Sequence, residues 1–122
     1  MSCPCGHARP YADCCGAIHA GKRPAATAEE LMRSRYAAYC KGKVDYLVHS
    51  LHPSKHAALD RKALAQRTPW TGLTILSTEG GSLFDTTGVV AFEARYTGGA
   101  MRERSRFTRH EGRWVYVDGD PG

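Results

Sequence analysis

No apolar run in this chain of 122 residues approaches the roughly 20 needed to cross a bilayer. Only two residues precede Cys3, too few for the basic, apolar and cleavage regions of a secretion signal. Low-complexity tracts and internal repeats are lacking. So are a Gly-rich phosphate loop, a G-x-S-x-G turn and an H-E-x-x-H pair, which sets aside P-loop nucleotide hydrolysis, elbow-type serine hydrolysis and zincin proteolysis. These absences predict a soluble, cytoplasmic protein with no membrane partner. Charge is no stronger a guide. Seventeen Lys and Arg against twelve Asp and Glu give +5, and four metal-bound thiolates with one divalent cation would leave about +3. That excess is too small to argue for nucleic-acid binding. With 42% hydrophobic residues the chain can bury one core without staples.

What the sequence has in excess is cysteine at one end. Four of its five cysteines fall in the first fifteen positions, MSCPCGHARPYADCC. A disulfide framework would need an oxidising compartment, and neither Cys3–Cys5 nor Cys14–Cys15 makes a relaxed bridge, although cross-pairing between the doublets stays open. The other reading is a tetrahedral site in which Cys3, Cys5, Cys14 and Cys15 surround one cation, zinc or iron. Gly6 and Gly16, each directly after a doublet, permit the tight turns this requires. The spacings C-x-C and C-C depart from the common C-x2–4-C. Cys3, Pro4, Cys5, Gly6, Tyr11, Cys14 and Cys15 together resemble the SEC-C motif at the C-terminal tail of the SecA translocation ATPase. That resemblance implies a metal knuckle over 1–20 with these four cysteines as ligands. The stretch between the doublets, HARPYAD, is less basic than such tails usually are. His7 or His19 could stand in for one thiolate.

Residues 21–26 read as a linker broken by Gly21 and Pro24. Thr27 and Glu30 then form a capping box for a helix through EELMRSRYAAYCKGK, ended by Gly42. At 100° per residue Leu31, Met32, Tyr36 and Tyr39 share an arc that also contains Arg35. An arginine there must reach solvent or find a carboxylate. Arg33 and Lys41 point elsewhere as solvated charges, and Cys40 falls opposite the arc. A second helix is expected through VDYLVHSL, stopped at His52-Pro53, and a third through KHAALDRKALAQ, capped by Ser54. From Trp70 the period changes to two, so that WTGLTILSTE, VVAFEARYT, AMRERSRFTR and RWVYVD read as strands of a meander. Val90, Phe92, Ala94 and Tyr96 share one face. Met101, Glu103, Ser105 and Phe107 share another, opposite Arg102, Arg104 and Arg106.

Three helices before an antiparallel sheet predict an α+β fold, with helices packed on one face of a curved sheet of about four strands. The order resembles an NTF2-like cone over 27–120. The strings ELMRSRYAAY, DYLVHSLHPS, FEARYT, ERSRF and GRWVYVDG behind the cysteine knuckle resemble the bacterial YchJ-like family of uncharacterised proteins. Longer members of that family carry a second knuckle near the C-terminus, whereas here no cysteine follows Cys40.

Inside the cone, Arg35 and Glu103 are expected to form a buried ion pair, with Ser105 and a tyrosine as added hydrogen-bonding partners. The alternative makes Glu103 a base and Arg35 the stabiliser of an anionic intermediate, with His52 as a further catalytic candidate. Asp45, His49 and His52 also have the spacing of a helix-face metal or acid–base site. The stripe Arg102, Arg104, Arg106 is expected as a solvated face and a candidate surface for polyanions. Two functions follow. The favoured one is a non-enzymatic adaptor whose knuckle docks on a cytoplasmic protein. By resemblance to SEC-C tails that partner is a translocation chaperone, a nascent-chain handler or a ribosome, the last being the one route to nucleic acid. The cone then serves as a second binding surface, and its sheet as a possible homodimer face. The alternative is a small-molecule binder or enzyme using the pocket around Arg35 and Glu103.

Overall fold

Thr27 starts the main helix: its Oγ1 accepts the Glu30 amide at 3.1 Å, while Glu30 Oε1 accepts the Ala26 amide at 2.8 Å. In the computed structural model, which describes residues 2–66 and 68–122, this helix, α2, spans Ala28–Lys41 and ends at Gly42 in the left-handed region. Before it come a 3-10 turn, Tyr11–Asp13, and the short helix α1, Cys15–His19. After it come α3, Val44–His49, a 3-10 segment, Pro53–Ala58, and α4, Arg61–Ala65. Four strands follow: β1, Trp70–Gly80; β2, Thr87–Tyr96; β3, Gly99–His110; and β4, Arg113–Pro121. They form an antiparallel sheet in the order β1-β2-β3-β4, which is the predicted meander. Register shifts at Trp70/Gly72, Ile75/Ser77 and Arg106/Phe107 bend it. The β3–β4 turn is Glu111-Gly112, both at positive φ, as a two-residue hairpin of this twist requires.

The core lies between α2 and the concave face of the sheet. Leu31, Met32 and Tyr36 meet Val90, Phe92, Phe107 and Trp114, all buried. Alternation holds cleanly along β2, where Gly88, Val90, Phe92 and Ala94 are buried. Along β3 burial fades toward its first residues, and Met101 is 37% exposed where the cone opens.

Two helical expectations need correction. The third helix is not continuous: Leu59 is extended, and the Asp60 side chain caps a new helix by accepting the Lys62 amide. Neither half has a buried residue to hold a longer helix against the core. The second helix stops at His49, because Ser50 and His52 are taken by the sheet. Tyr116 N–H donates to Ser50 O and His52 N–H to Tyr116 O, each at 2.8 Å. That junction fixes one wall of the site below.

Candidate metal centre and the adjoining cavity

The knuckle is a loop folded on its own backbone. Cys3 N–H donates to Arg9 O at 2.8 Å, and a Ser2–Pro10 bridge closes the first turn. The 3-10 turn then delivers Cys14, and the first turn of α1 delivers Cys15. All four cysteines are at most 3% exposed, and their sulfurs lie within 4.8 Å of one another. Cys5 Sγ and Cys14 Sγ are 3.6 Å apart. A tetrahedron of thiolates at a Zn–S distance of about 2.3 Å has edges of about 3.8 Å, so this donor set fits one metal ion. Electrostatics agree. The hydrogen bond from Cys15 pulls the Cys5 thiol well below its ordinary range. Burial first, then its bond to Cys5, pushes Cys14 up, and Cys15 is pushed up chiefly by its bond to Cys5. Protein groups alone favour a thiolate at Cys5 and thiols at Cys14 and Cys15, and a divalent cation is what would make thiolates at these positions compatible.

The knuckle is cemented to α2. Arg33 Nη1 donates to Cys5 O at 2.6 Å, and its Nε pairs with Glu29 at 3.0 Å. Arg23 bridges from Glu30 to Cys14 O. Ala37, fully buried, packs against the cysteines. The Tyr11 hydroxyl is 2.6 Å from His19 Nδ1, and His19 Nε2 donates to Ser34 O at 2.7 Å; burial favours the neutral ring, in which Nδ1 accepts from Tyr11. Lys41 Nζ lies 4.7 Å from the centre of the Tyr11 ring. The expectation of a plain solvated charge fails for Arg33, which holds the knuckle through a carbonyl 28 positions away in the chain; Lys41 is exposed as expected, with its ammonium over the Tyr11 ring. His7 Nδ1 lies 3.5 Å from Cys14 Sγ without joining the four-sulfur cluster, and His19 is committed elsewhere.

On the other side of α2 is a cavity of about 280 Å³, bordered by Arg35, Tyr36, Trp70, Phe92, Glu103 and Tyr116 among others. Arg35 is 5% exposed. Its Nη1 donates to Leu47 O at 2.9 Å and to Ser50 Oγ at 2.7 Å, and its guanidinium stacks 4.7 Å from the Tyr116 ring centre. Burial lowers its pKa, with the Tyr39 and Tyr116 hydroxyls opposing. The expected Arg35–Glu103 ion pair is absent: no carboxylate lies within 4 Å of Arg35 among the described residues. Tyr116 stands between them. Its ring faces Arg35, while its hydroxyl donates to Glu103 Oε2 at 3.1 Å; Ser105 Oγ donates to the same oxygen at 2.5 Å. Sequence reasoning expected a tyrosine here without identifying Tyr116, and it missed Ser50. Alternation in RWVYVD, which aligns Tyr116 with the buried Trp114, was the available signal for Tyr116.

The remaining candidates are scattered. His52 does not border the cavity; its Nδ1 accepts the Ser54 amide, and its ring lies 5.3 Å from His110. Asp45 pairs with Arg61, and His49 is exposed, so Asp45, His49 and His52 form no cluster among the described residues. Cys40, expected opposite the apolar arc, packs half-buried against the core. On the outer face of the sheet Arg102 meets Glu93, Arg104 meets Glu79, and Arg106 meets both Asp118 and Asp120. Each arginine of the stripe thus has a carboxylate opposite it. None of the described helices is long and apolar enough to cross a membrane.

The family described as "YchJ, middle NTF2-like domain" matches residues 27–119. A UPF0225 protein of Streptomyces coelicolor is 51% identical over 118 residues, spanning 97% of this chain and 94% of that protein. A UPF0225 protein of Geobacter sulfurreducens is 42% identical over 124 residues, spanning 96% and 77%. The solution structure of a SEC-C motif containing protein from Rhodopseudomonas palustris superposes with a TM-score of 0.87 at 35% identity, covering 100% of this chain and 99% of that one. The crystal structure of a SEC-C motif containing protein from Psychrobacter arcticus gives 0.82 at 28% identity, covering 100% and 83%. With the four-sulfur knuckle seated on an α+β cone of this topology, the chain belongs to the YchJ-like, UPF0225 family.

Proposed function

We propose that this protein is a non-enzymatic, zinc-stabilised interaction module of the cytoplasm, which docks on a partner protein through its knuckle. The observation that carries the reading is the rigid mounting of the knuckle. Its sulfurs face inward against Ala37 and its backbone is pinned by Arg33, while Ala8, Arg9, Pro10, Ala12 and Asp13 face solvent. A loop ordered in advance binds with less entropic cost than a flexible one. Four thiolates leave a bound zinc without an open position, which suits a structural ion. By resemblance to SEC-C tails, the partner is a translocation chaperone, a nascent-chain handler or a ribosomal protein.

The test places a photo-crosslinking amino acid at Ala8 or Ala12, and separately at Arg104 on the sheet, in cells making the full chain. The expected result is one zinc per chain and a discrete protein adduct from the knuckle positions only, lost in the Cys14→Ser, Cys15→Ser double variant. Adducts of equal yield from Arg104, or adducts that persist in the double variant, would overturn docking through the knuckle. One iron per chain would overturn zinc.

A further inference from the structure

The cone holds a feature that the docking reading leaves unused. Arg35 is a nearly fully buried cation whose Nη1 donates to Leu47 O and Ser50 Oγ. Its other neighbours are the Tyr39 hydroxyl and the Tyr116 ring, and no carboxylate lies within 4 Å among the described residues. A buried charge without a counter-ion is costly unless something supplies one. Every fully buried side-chain nitrogen and oxygen among the described residues has a partner. Any unbonded nitrogen of Arg35 therefore keeps some accessible surface, and Arg35 borders the cavity. At about 280 Å³ this space falls just below the usual range of ligand sites, about 300 to 1,000 Å³, which limits it to a small ligand. Its walls are apolar and aromatic, with Trp70, Tyr36 and Phe92 set against the sheet end of α2. Glu103 borders the same space, and the two hydroxyls that bond it both engage Oε2.

We propose that this cavity binds a small organic monocarboxylate, its carboxylate on the free side of the Arg35 guanidinium, its apolar or aromatic body along Trp70, Tyr36 and Phe92, and a hydroxyl or amine donating to Glu103. Charge selects the class. One carboxylate balances one arginine, and its planar oxygens match the guanidinium fork. A dianionic phosphate would leave an unbalanced charge beside the Glu103 carboxylate, with no second cation bordering the cavity among the described residues. Glu103 in turn disfavours a purely apolar acid, because its carboxylate must stay hydrogen-bonded when water leaves. The inference is independent of what the knuckle docks on.

The probes are 4-hydroxybenzoate, 4-hydroxyphenylacetate and indole-3-carboxylate, titrated into the metal-loaded, isotope-labelled chain and followed by amide and indole resonances. At least one should give saturable shifts confined to the cavity lining, including the Trp70 indole. The neutral 4-hydroxybenzamide should bind the wild-type chain at least tenfold more weakly than 4-hydroxybenzoate, and phenyl phosphate likewise. Arg35→Gln should weaken the acid tenfold or more and leave the amide unchanged. If Arg35→Gln fails to fold, the acid–amide comparison on the wild type decides alone. Equal affinity of acid and amide, tighter binding of phenyl phosphate, shifts that map elsewhere, or no saturable shift from any of the three acids would overturn the proposal.

Discussion

Removing the metal should destabilise the cone and not merely loosen the N-terminus. α1 has five residues, too few to persist as an isolated helix, so its docked position depends on the fixed sulfurs beside it. Three contacts are lost if it detaches. Arg33 donates to Cys5 O at 2.6 Å from a side chain only 16% exposed. A charged donor of this kind is worth about 1.5–3 kcal/mol, taken toward the lower value because it is not fully buried. His19 donates to Ser34 O at 2.7 Å, worth about 1 kcal/mol. Ile18, 6% exposed, belongs to the main core and adds about 1–2 kcal/mol. The sum is about 4 kcal/mol. For a domain of this size each kcal/mol moves the melting temperature by about 3–5 °C, so the expected fall is roughly 10–20 °C. The chain has two tryptophans, Trp70 and Trp114, both in the cone. Their fluorescence therefore reports the cone alone during thermal unfolding of loaded and chelator-stripped protein under reducing, anaerobic conditions. A fall of less than about 3 °C would show that the knuckle and cone are energetically separate, and would refute the coupling drawn from Arg33, His19 and Ile18.

Two further outcomes are expected. Burial holds the pKa of His19 below its ordinary 6.5, outweighing the bond to Ser34 O, which favours the charged ring. The unfolded chain then binds more protons, so stability should fall as pH drops through about 6.5; the urea midpoint at about pH 5.5 against pH 7.5 should show a smaller drop in His19→Gln than in wild type. Gly119→Ala would set a Cβ against the carboxyl group of Glu103. Moving Glu103 breaks its bonds to Ser105 and Tyr116, and urea unfolding should show a loss of about 1–3 kcal/mol.

The contrast between Arg33 and Arg35 shows how far the sequence reads. Both lie in one helical turn of RSRYAAY, about 200° apart around the axis. An arc argument assigns Arg35 inward and, because it assumes a single buried face, sends Arg33 to water. Helix α2 is buried on two faces, and the second is covered by a loop folded around four clustered cysteines, which periodicity does not register. Local rules did locate the Thr27–Glu30 cap, the Gly42 stop, the four alternating strands and the four clustered cysteines, because each is encoded within a few residues. The break at Leu59-Asp60 and the early end of α3 were hidden for the opposite reason. The first depends on a missing core anchor, the second on Tyr116, about 65 residues later in the chain. The absent Arg35–Glu103 pair belongs with these, since opposite charges on facing elements say nothing of the tyrosine between them.

The same geometry separates the two sites of α2 by a measurable criterion. Arg35 is held by Leu47 O, Ser50 Oγ and the Tyr116 ring, and Ser50 is tied to Tyr116 through the backbone. None of these groups belongs to the knuckle, whose links include Arg23, Arg33, Ser34, Ala37, Lys41, the core packing of Ile18 and the ring of Tyr46, 4.6 Å from His19. Tyr46 keeps its own anchor, the Ser34 hydroxyl at 2.6 Å. Metal loss should therefore lower the temperature at which the cone melts while leaving the guanidinium where it is in the folded molecule. At about 15 °C, below the melting point of the stripped protein, 4-hydroxybenzoate should bind stripped and loaded chains with affinities within twofold of each other. An affinity that falls tenfold on stripping would mean that the setting of Arg35 is transmitted from the sulfurs through the body of α2, and that the two faces of the helix act as one site.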